Sequence, residues 1–334
     1  MSEAFLDLVD LACDRFGGSV VAANDEFFAP KENLIKRDAP IWIDGKYTER
    51  GKWMDGWETR RRRDVSDESH DWCIVRFGAP GRVAGVNVDT ANFKGNYPAA
   101  CAIDVTDAGG VPSVETLVVA VWREILPRTP LRGDAQNLLA VDSAPPATHL
   151  RLRIYPDGGV ARLRAHGHVA ADWVALRNRG DVDLAAAAHG GFVVACSDMF
   201  FGSRHNLIMP GDATHMGDGW ETRRRRGPGH DWTIIRLAAP GMIRRVEVDT
   251  RHFKGNAPGA CGLAACAVEN ETLLLEALDA PGLWQELLPR TSLQPHARHS
   301  FESEILSSER ATHVRFSIYP DGGIGRLRLY GRPA

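Results

Sequence analysis

The chain of 334 residues lacks the short motifs that usually reveal a reaction. It has no H-E-x-x-H zinc motif, no phosphate-binding P-loop and no G-x-S-x-G nucleophile motif, and its six cysteines form no Cys-x-x-Cys pair. These absences argue against the familiar metalloprotease, nucleotide-binding and serine-hydrolase chemistries. We predict no cofactor, although a divalent metal gathered from distant histidines and carboxylates stays open.

A strong charge of one sign and a long apolar run are also missing. The formal net charge is −3, which argues against a nucleic acid partner held by phosphate neutralisation. No apolar run approaches membrane-spanning length, and the N-terminal segment carries acids where a secretory peptide carries Lys or Arg. The cysteine pattern favours reduced, mostly buried thiols. We therefore predict a cytoplasmic protein without a nucleic acid or membrane partner.

The most informative feature that is present is an internal duplication. The sequence DGWETRRRR begins at Asp55 and again, letter for letter, at Asp218. The shorter sequences HDW, VDT, FKGN, LPRT and IYPDGG also occur twice, in the same order. Two copies of one unit, each of ordinary domain size, predict domains at residues 1–170 and 171–334.

Apolar and polar residues alternate over short runs in both halves, which predicts strands. The runs are 72–77, 83–88 and 117–121, with counterparts at 232–237, 243–248 and 273–275. Each PDGG sequence predicts a hairpin, and short helices are expected at 3–15 and 182–188. The pattern favours an all-β fold, with two tandem, duplicated jelly-roll β-sandwich domains and minor helix.

The repeated WETRRRR segment supplies the first candidate site. If the chain is extended here, Arg61 and Arg63 lie on one face, whereas Glu58, Arg60 and Arg62 lie on the other. One interpretation is an anion clamp, in which two arginines bind a carboxylate near an ionised Glu58. The alternative is a structural one, in which the arginines pair with acids.

Two further pairs of shared polar residues are candidates. Lys94 and Lys254 follow a strand, where loops often carry binding residues, although an exposed turn lysine is the alternative. His70 and His230 begin the HDW sequences and suit an acid or base role, or a surface position.

Other shared rings are predicted to fill the core. They are Trp57, Trp220, Trp122, Trp284, His149 and His313.

The combination of DGWETRRRR, HDW, VDT with FKGN, LPRT and IYPDGG, all present twice, resembles the allantoicase family over residues 17–331. The resemblance implies two jelly-roll domains of the galactose-binding-like type. It also implies hydrolysis of allantoate to (S)-ureidoglycolate and urea, a nitrogen-supplying step of purine degradation. A homo-oligomer is compatible with such a metabolic enzyme.

The implied reaction suggests roles, because a carboxylate needs cations and departing urea needs a proton. The substrate-binding candidates are Arg61, Arg63, Arg224, Arg226, Lys94 and Lys254, and the acid and base candidates are Glu58, Glu221, His70 and His230. Water attacks directly, or the remaining ureido nitrogen first expels urea. Both routes stay open.

The two copies differ at one place that matters for the site. The first carries the insertion PIWIDGKYTERGKW at residues 40–53, where the second has the shorter PGDATHM. The difference permits two sites, one working site, or a composite site between the domains. A non-catalytic tandem sandwich that binds a small anion or carbohydrate is the alternative function, and the charge of the shared residues suits an anion better.

Overall fold

The computed structural model describes residues 4–64, 66–306 and 309–334. The chain divides into two compact units, Met1–Ala171 and Asp172–Ala334. Each unit is built around its own antiparallel strands, and the order of strands is the same in both apart from one additional hairpin in the first unit. Within the described ranges, no helix is long and apolar enough to cross a membrane.

The first unit is mostly β-structure. Its strands are β1 (Val9–Asp10), β2 (Ser19–Ala23), β3 (Tyr47–Thr48), β4 (Gly51–Lys52), β5 (Trp57–Glu58), β6 (Asp71–Asp89), β7 (Ala100–Thr106), β8 (Arg123–Pro130), β9 (Gln136–Ala140), β10 (Ala147–Tyr155), β11 (Gly159–Val160) and β12 (Arg162–Val169). One α-helix, α1 (Val114–Val118), and 3₁₀ turns at Ala4–Asp7, Asp14–Phe16 and Lys31–Ile35 complete it.

The second unit repeats this plan after a short helix, α2 (Trp173–Arg177). Its strands are β13 (Val182–Asp183), β14 (Phe192–Cys196), β15 (Trp220–Glu221), β16 (Asp231–Asp249), β17 (Ala260–Cys266), β18 (Gln285–Ser292), β19 (Arg298–Phe301), β20 (Ala311–Tyr319), β21 (Gly323–Ile324) and β22 (Arg326–Pro333). The helix α3 (Glu271–Glu276) and 3₁₀ turns at Ala187–His189, Arg204–Ile208 and Met216–Asp218 lie between them.

One long strand in each unit joins the two layers of a sandwich. In β6, residues 71–76 pair with β2 and β10, whereas residues 81–89 pair with β9 and β12. The register shifts between these halves, at the Gly-Ala-Pro-Gly sequence where the strand turns from one layer to the other. The strand β16 does the same in the second unit. The predicted all-β fold of two duplicated sandwiches with minor helix is confirmed.

The core follows the alternation of the strands. Leu150, Leu152 and Ile154 are fully buried, and the arginines between them face outwards. Trp57 and Trp220 are also fully buried, and His149 and His313 are nearly so, as predicted. Five of the six cysteines are buried, and none of the six forms a disulfide.

Several local predictions are wrong. Residues 117–121 and 273–275 are not strands, because Ser113 and Asn270 accept backbone N–H groups and begin the helices α1 and α3 there. Trp122 and Trp284 lie half-buried after these helices, and Trp284 packs against the edge of a core cluster. The indole N–H of Trp122 donates to the carbonyl oxygen of Leu117 in α1, and that of Trp284 donates to the carbonyl oxygen of Leu278, two residues after α3.

The predicted N-terminal helices are also wrong. The described part of 3–15 forms two 3₁₀ turns around β1, and 182–188 forms β13 and the beginning of a 3₁₀ turn. The short strands form because their backbones pair with β12 and β22. Nor does PDGG close a hairpin between β10 and β12, since these strands pair with opposite halves of β6.

Candidate functional site

A cavity of about 980 Å³ opens in the first unit where the repeated motifs meet. The short strand β5, which carries Trp57 and Glu58, pairs with β11 after the PDGG turn. The FKGN loop contributes Gly95 and Asn96 to the same wall. Motifs that are far apart in the sequence are therefore brought to one place by the pairing of β5 with β11.

Glu58 lies at the bottom of this arrangement. The buried Trp57 beside it anchors the strand, because its indole Nε1 donates to the carbonyl oxygen of Asp25 at 2.8 Å. The Glu58 side chain is 8% exposed, and Asn96 Nδ2 donates to its Oε1 at 2.7 Å. Burial raises the pKa of Glu58, and the hydrogen bond from Asn96 partly opposes this rise. A raised pKa favours the protonated form of the carboxyl group, which is the form that donates a proton.

The PDGG turn requires glycine at two places because it packs against the FKGN loop. Gly158 has a φ of 136°, a backbone conformation that residues with a Cβ atom rarely adopt. A Cβ at Gly159 would lie 1.9 Å from Cε1 of the buried Phe93. Asp157 of the same turn accepts the backbone N–H of Arg62 at 2.8 Å. The turn therefore positions the arginine run over the cavity.

The four arginines of the first unit separate into two kinds. Arg60 pairs with Asp25 at 2.7 Å, and Arg62 pairs with the buried Asp71 at 2.6 Å. Arg61 and Arg63 also line the cavity, but neither has a hydrogen bond or an ion pair with any residue of the described ranges. The two interpretations of the sequence thus each fit half of the run: alternate arginines pair structurally, and the others are available to an anion.

The second unit has the same alternation. Arg223 pairs with Asp198 at 3.0 Å, and Arg225 pairs with the buried Asp231. Arg224 and Arg226 form no hydrogen bond or ion pair within the part of the chain that the structure describes.

The glutamate of the second unit is held in the same way but is less buried. Asn256 Nδ2 donates to Glu221 Oε1 at 2.6 Å, which matches the Asn96–Glu58 hydrogen bond. Glu221 is partly exposed, whereas Glu58 is buried. The two units therefore share the site's framework and differ in how far it is closed from water.

The candidate lysine and histidine of the first unit, Lys94 and His70, do not line this cavity. Lys94 is 80% exposed, lies 4.0 Å from Asp134 and lines a neighbouring cavity. Lys254 is exposed. The His70 ring bonds to the carbonyl oxygen of Glu68 through Nδ1 at 2.8 Å and lies 5.4 Å from the ring of Tyr155.

His230 occupies the matching place, 4.6 Å from the ring of Tyr319. Burial lowers the pKa of His230, and the nearby cations Arg315 and Arg225 lower it further. His70 is not among the residues that line either cavity beside Glu58, and the acid or base role of His70 and His230 stays a prediction.

The asparagine that bonds to each glutamate and the aspartates that pair with alternate arginines were not predicted from the sequence. Asn96 and Asn256 end the FKGN sequences, so the duplication contained the signal. Asp25 and Asp198 lie outside the longest repeated sequences and were not singled out. Asp71 has a second property: its Oδ2 is buried and has no hydrogen-bond partner among the described residues. In the described ranges, no group of three or more His, Cys, Asp or Glu residues is arranged to hold a metal ion.

Comparison with known proteins agrees with the motif resemblance. A family model described as the allantoicase repeat matches residues 9–170 and again residues 182–334. A protein of Pseudomonas aeruginosa named "Probable allantoicase" is 47% identical over 333 residues, which cover 98% of this chain and 97% of that protein. "Probable allantoicase 1" of Burkholderia mallei is 45% identical over 326 residues, with coverages of 97% and 94%.

The fold agrees as well. The crystal structure of allantoicase from Saccharomyces cerevisiae superposes with a TM-score of 0.80 at 34% identity, covering 97% of this chain and 92% of that one. The family model matches both repeats, and the similarity to these proteins extends over nearly the full length of the chain. The chain belongs to the allantoicase family.

Proposed function

We propose that the protein hydrolyses allantoate to (S)-ureidoglycolate and urea. The observation that carries the proposal is the combination, in one cavity, of two arginines that have no partner among the described residues and a buried glutamate with a raised pKa. Allantoate has one carboxylate and two ureido groups on a single carbon. The arginines match the carboxylate, and the glutamate matches the need to protonate departing urea.

Different residues of the first unit bind the substrate and donate the proton. Arg61 and Arg63 bind the carboxylate and orient the central carbon. Arg60 and Arg62 line the same cavity, but their charges are paired with Asp25 and Asp71. Glu58 in its protonated form donates to the ureido nitrogen. The C–N bond breaks, its electron pair stays on the nitrogen, and urea leaves.

Water supplies the hydroxyl group of ureidoglycolate. It attacks the central carbon directly, or it traps the iminium formed when the remaining ureido nitrogen expels urea. In either route water loses one proton, and the Glu58 carboxylate, which lines the cavity and has given up its own proton to urea, accepts it. The sum is one allantoate and one water converted to one ureidoglycolate and one urea.

The direct test is urea release by the purified protein. After treatment with a chelator, urea is expected from allantoate but not from allantoin or ureidoglycolate, and adding divalent metals back shows whether a metal contributes. If the folded protein binds allantoate and releases no urea under any condition, a non-catalytic anion-binding protein would replace the proposal.

The pH dependence tests the role of Glu58 separately. A general acid must be protonated, so kcat/KM is expected to fall as the pH rises through the raised pKa of Glu58. Asn96→Ala removes the hydrogen bond that favours the ionised carboxylate. The pKa of Glu58 then rises further, and the basic limb of the profile should move to higher pH. A limb that stays in place or moves to lower pH would contradict this role.

We further propose a cytoplasmic location and no nucleic acid or membrane partner. The six cysteines outside disulfides support the location, since such thiols are typical of reducing compartments. The net charge of −3 supports the absence of a nucleic acid partner. A homo-oligomer is part of the same proposal, and light scattering of the purified protein tests it.

A further inference from the structure

A second cavity, of about 690 Å³, borders Glu58 in the first unit. It shares Phe28, Glu58, Gly95 and Asn96 with the first cavity, and the remaining lining residues differ. The first cavity contains the arginine run, whereas the second is lined by Trp42, Lys52 and Lys94. Glu58 therefore lies at the junction of an arginine-lined cavity and one lined by an aromatic ring and two lysines.

The insertion at residues 40–53, which the second repeat lacks, builds this second cavity. Its strands β3 and β4 form a hairpin, and Lys52 on β4 faces back to the insertion's first part. The Lys52 ammonium lies 4.3 Å from the centre of the Trp42 ring. Ring and cation thus form one surface.

Contacts at its base and near its tip hold the insertion in place. At its base, Asp55 accepts the backbone N–H of Ile41 at 3.0 Å and pairs with the buried Arg162 at 2.7 Å. Near its tip, Arg50 Nη1 donates to the carbonyl oxygen of Phe27 at 3.1 Å. A buried ion pair and a tip contact fix a wall that a free surface loop would not provide.

The second unit shows what the site is like without this wall. Its shorter segment, residues 210–216, contains no strand and leads into the 3₁₀ turn Met216–Asp218. Phe201, the counterpart of Phe28, is 62% exposed there, whereas Phe28 is half-buried. Glu221 is also more exposed than Glu58. The insertion accordingly covers one side of the first unit's glutamate.

We propose that Trp42 and Lys52 bind one ureido arm of allantoate, so that the substrate spans Glu58 with its carboxylate on Arg61 and Arg63. This assignment rests on the proposed function. It makes the first repeat the one that recognises the whole substrate, and it makes the insertion the element that determines specificity for a ureido group.

The chemistry of the second cavity fits a ureido group. The group is planar, so its face stacks on the indole ring of Trp42. Its carbonyl oxygen accepts from the Lys52 ammonium, and such a charge-assisted hydrogen bond is stronger than one between neutral groups. Its N–H groups are left to face Glu58, whose side chain accepts, from the residues that the structure describes, one hydrogen bond, from Asn96 to Oε1. An arm held in this way presents its nitrogen to the proton donor.

The test uses Trp42→Ala and Lys52→Ala in the full-length protein. Each is expected to raise KM for allantoate by about tenfold, as loss of a hydrogen bond or contact to a charged group would, with a smaller change in kcat. Lys46→Ala is the matched control. Lys46 belongs to the same insertion and stacks 3.9 Å from Trp53, but it lines neither cavity, so its KM should stay at the wild-type value.

Two competitive inhibitors separate the proposed subsites. Hydantoate has a carboxylate and one ureido group, whereas glycolate has a carboxylate and none. Lys52→Ala should weaken the binding of hydantoate and leave the binding of glycolate unchanged. If the binding of both inhibitors were weakened equally, or if both variants kept the wild-type KM, the assignment would be overturned while the hydrolytic function would stand. Absence of urea release by the wild-type protein would overturn both.

Discussion

Glu58→Gln combined with Glu221→Gln is expected to lower kcat/KM for allantoate by about 100-fold or more, because the amide cannot donate a proton to departing urea. The single Glu58→Gln change should account for most of the loss. Glu58 is 8% exposed and borders both cavities, whereas Glu221 is partly exposed in a site without the insertion. Initial rates of urea release for the two single variants and the double variant measure this.

The substitution preserves the shape of the side chain, so the loss is not expected to come from unfolding. Burial raises the pKa of Glu58, which means that the folded protein binds this proton more tightly than the unfolded chain does. The free energy of unfolding therefore falls as the pH rises through the raised pKa, and Gln removes that fall. Glu49→Gln, on the exposed turn between β3 and β4, is the control. Activity within a fewfold of wild type in the double variant would rule out the acid role.

Arg61→Ala and Arg63→Ala are expected to lower kcat/KM by about 10-fold or more each, mainly through KM, because each removes a charged hydrogen-bond donor to the substrate carboxylate. Their thermal stability should be close to wild type. Both side chains are exposed, and neither has a partner among the described residues to lose.

Arg62→Ala is the matched contrast in the same run. It leaves the carboxylate of Asp71, which is 2% exposed, without its cation, although Asn24 Nδ2 still donates to it at 2.8 Å. A loss of roughly 1–3 kcal/mol in the free energy of unfolding is expected, with a lowered Tm. If Arg61→Ala proved as destabilising as Arg62→Ala, the division between binding and pairing arginines would be wrong.

The same substitution in the two repeats shows whether both contribute. Independent, equal sites predict that Arg63→Ala and Arg226→Ala each remove about half of the activity. We expect Arg63→Ala to remove most of it, because the insertion encloses only the first repeat's glutamate. Equal losses from the two variants would show that the open site of the second repeat also turns over substrate.

The duplication and the β-class could be read from the sequence because their signals are local. Alternation along β10 marks its buried face without knowledge of any partner strand. The Glu and Arg residues of the site were likewise visible, because they belong to a segment that occurs twice in the sequence. Predictions failed where a local cap decided the outcome, as at Ser113 and Asn270, or where pairing with a distant strand did, as at β1 and β13.

The site required contacts between residues that are far apart in the chain. The alternation of arginines was anticipated, but their roles depend on Asp25 and Asp71, which lie 35 and 9 residues away from Arg60 and Arg62. Asn96 reaches Glu58 across 38 residues. Sequence spacing cannot predict such partners, because they meet only after β5 has paired with β11.

The sequence by itself determined that this chain is a duplicated β-protein of the allantoicase family, and it showed which charged residues occur in both repeats. Only the tertiary structure decided which arginines have no partner among the described residues, how deeply each glutamate is buried, and that an insertion in one repeat lines a cavity beside Glu58. The physical reason is that composition and periodicity are properties of the chain, whereas burial and ion pairing depend on which distant atoms exclude water from a group.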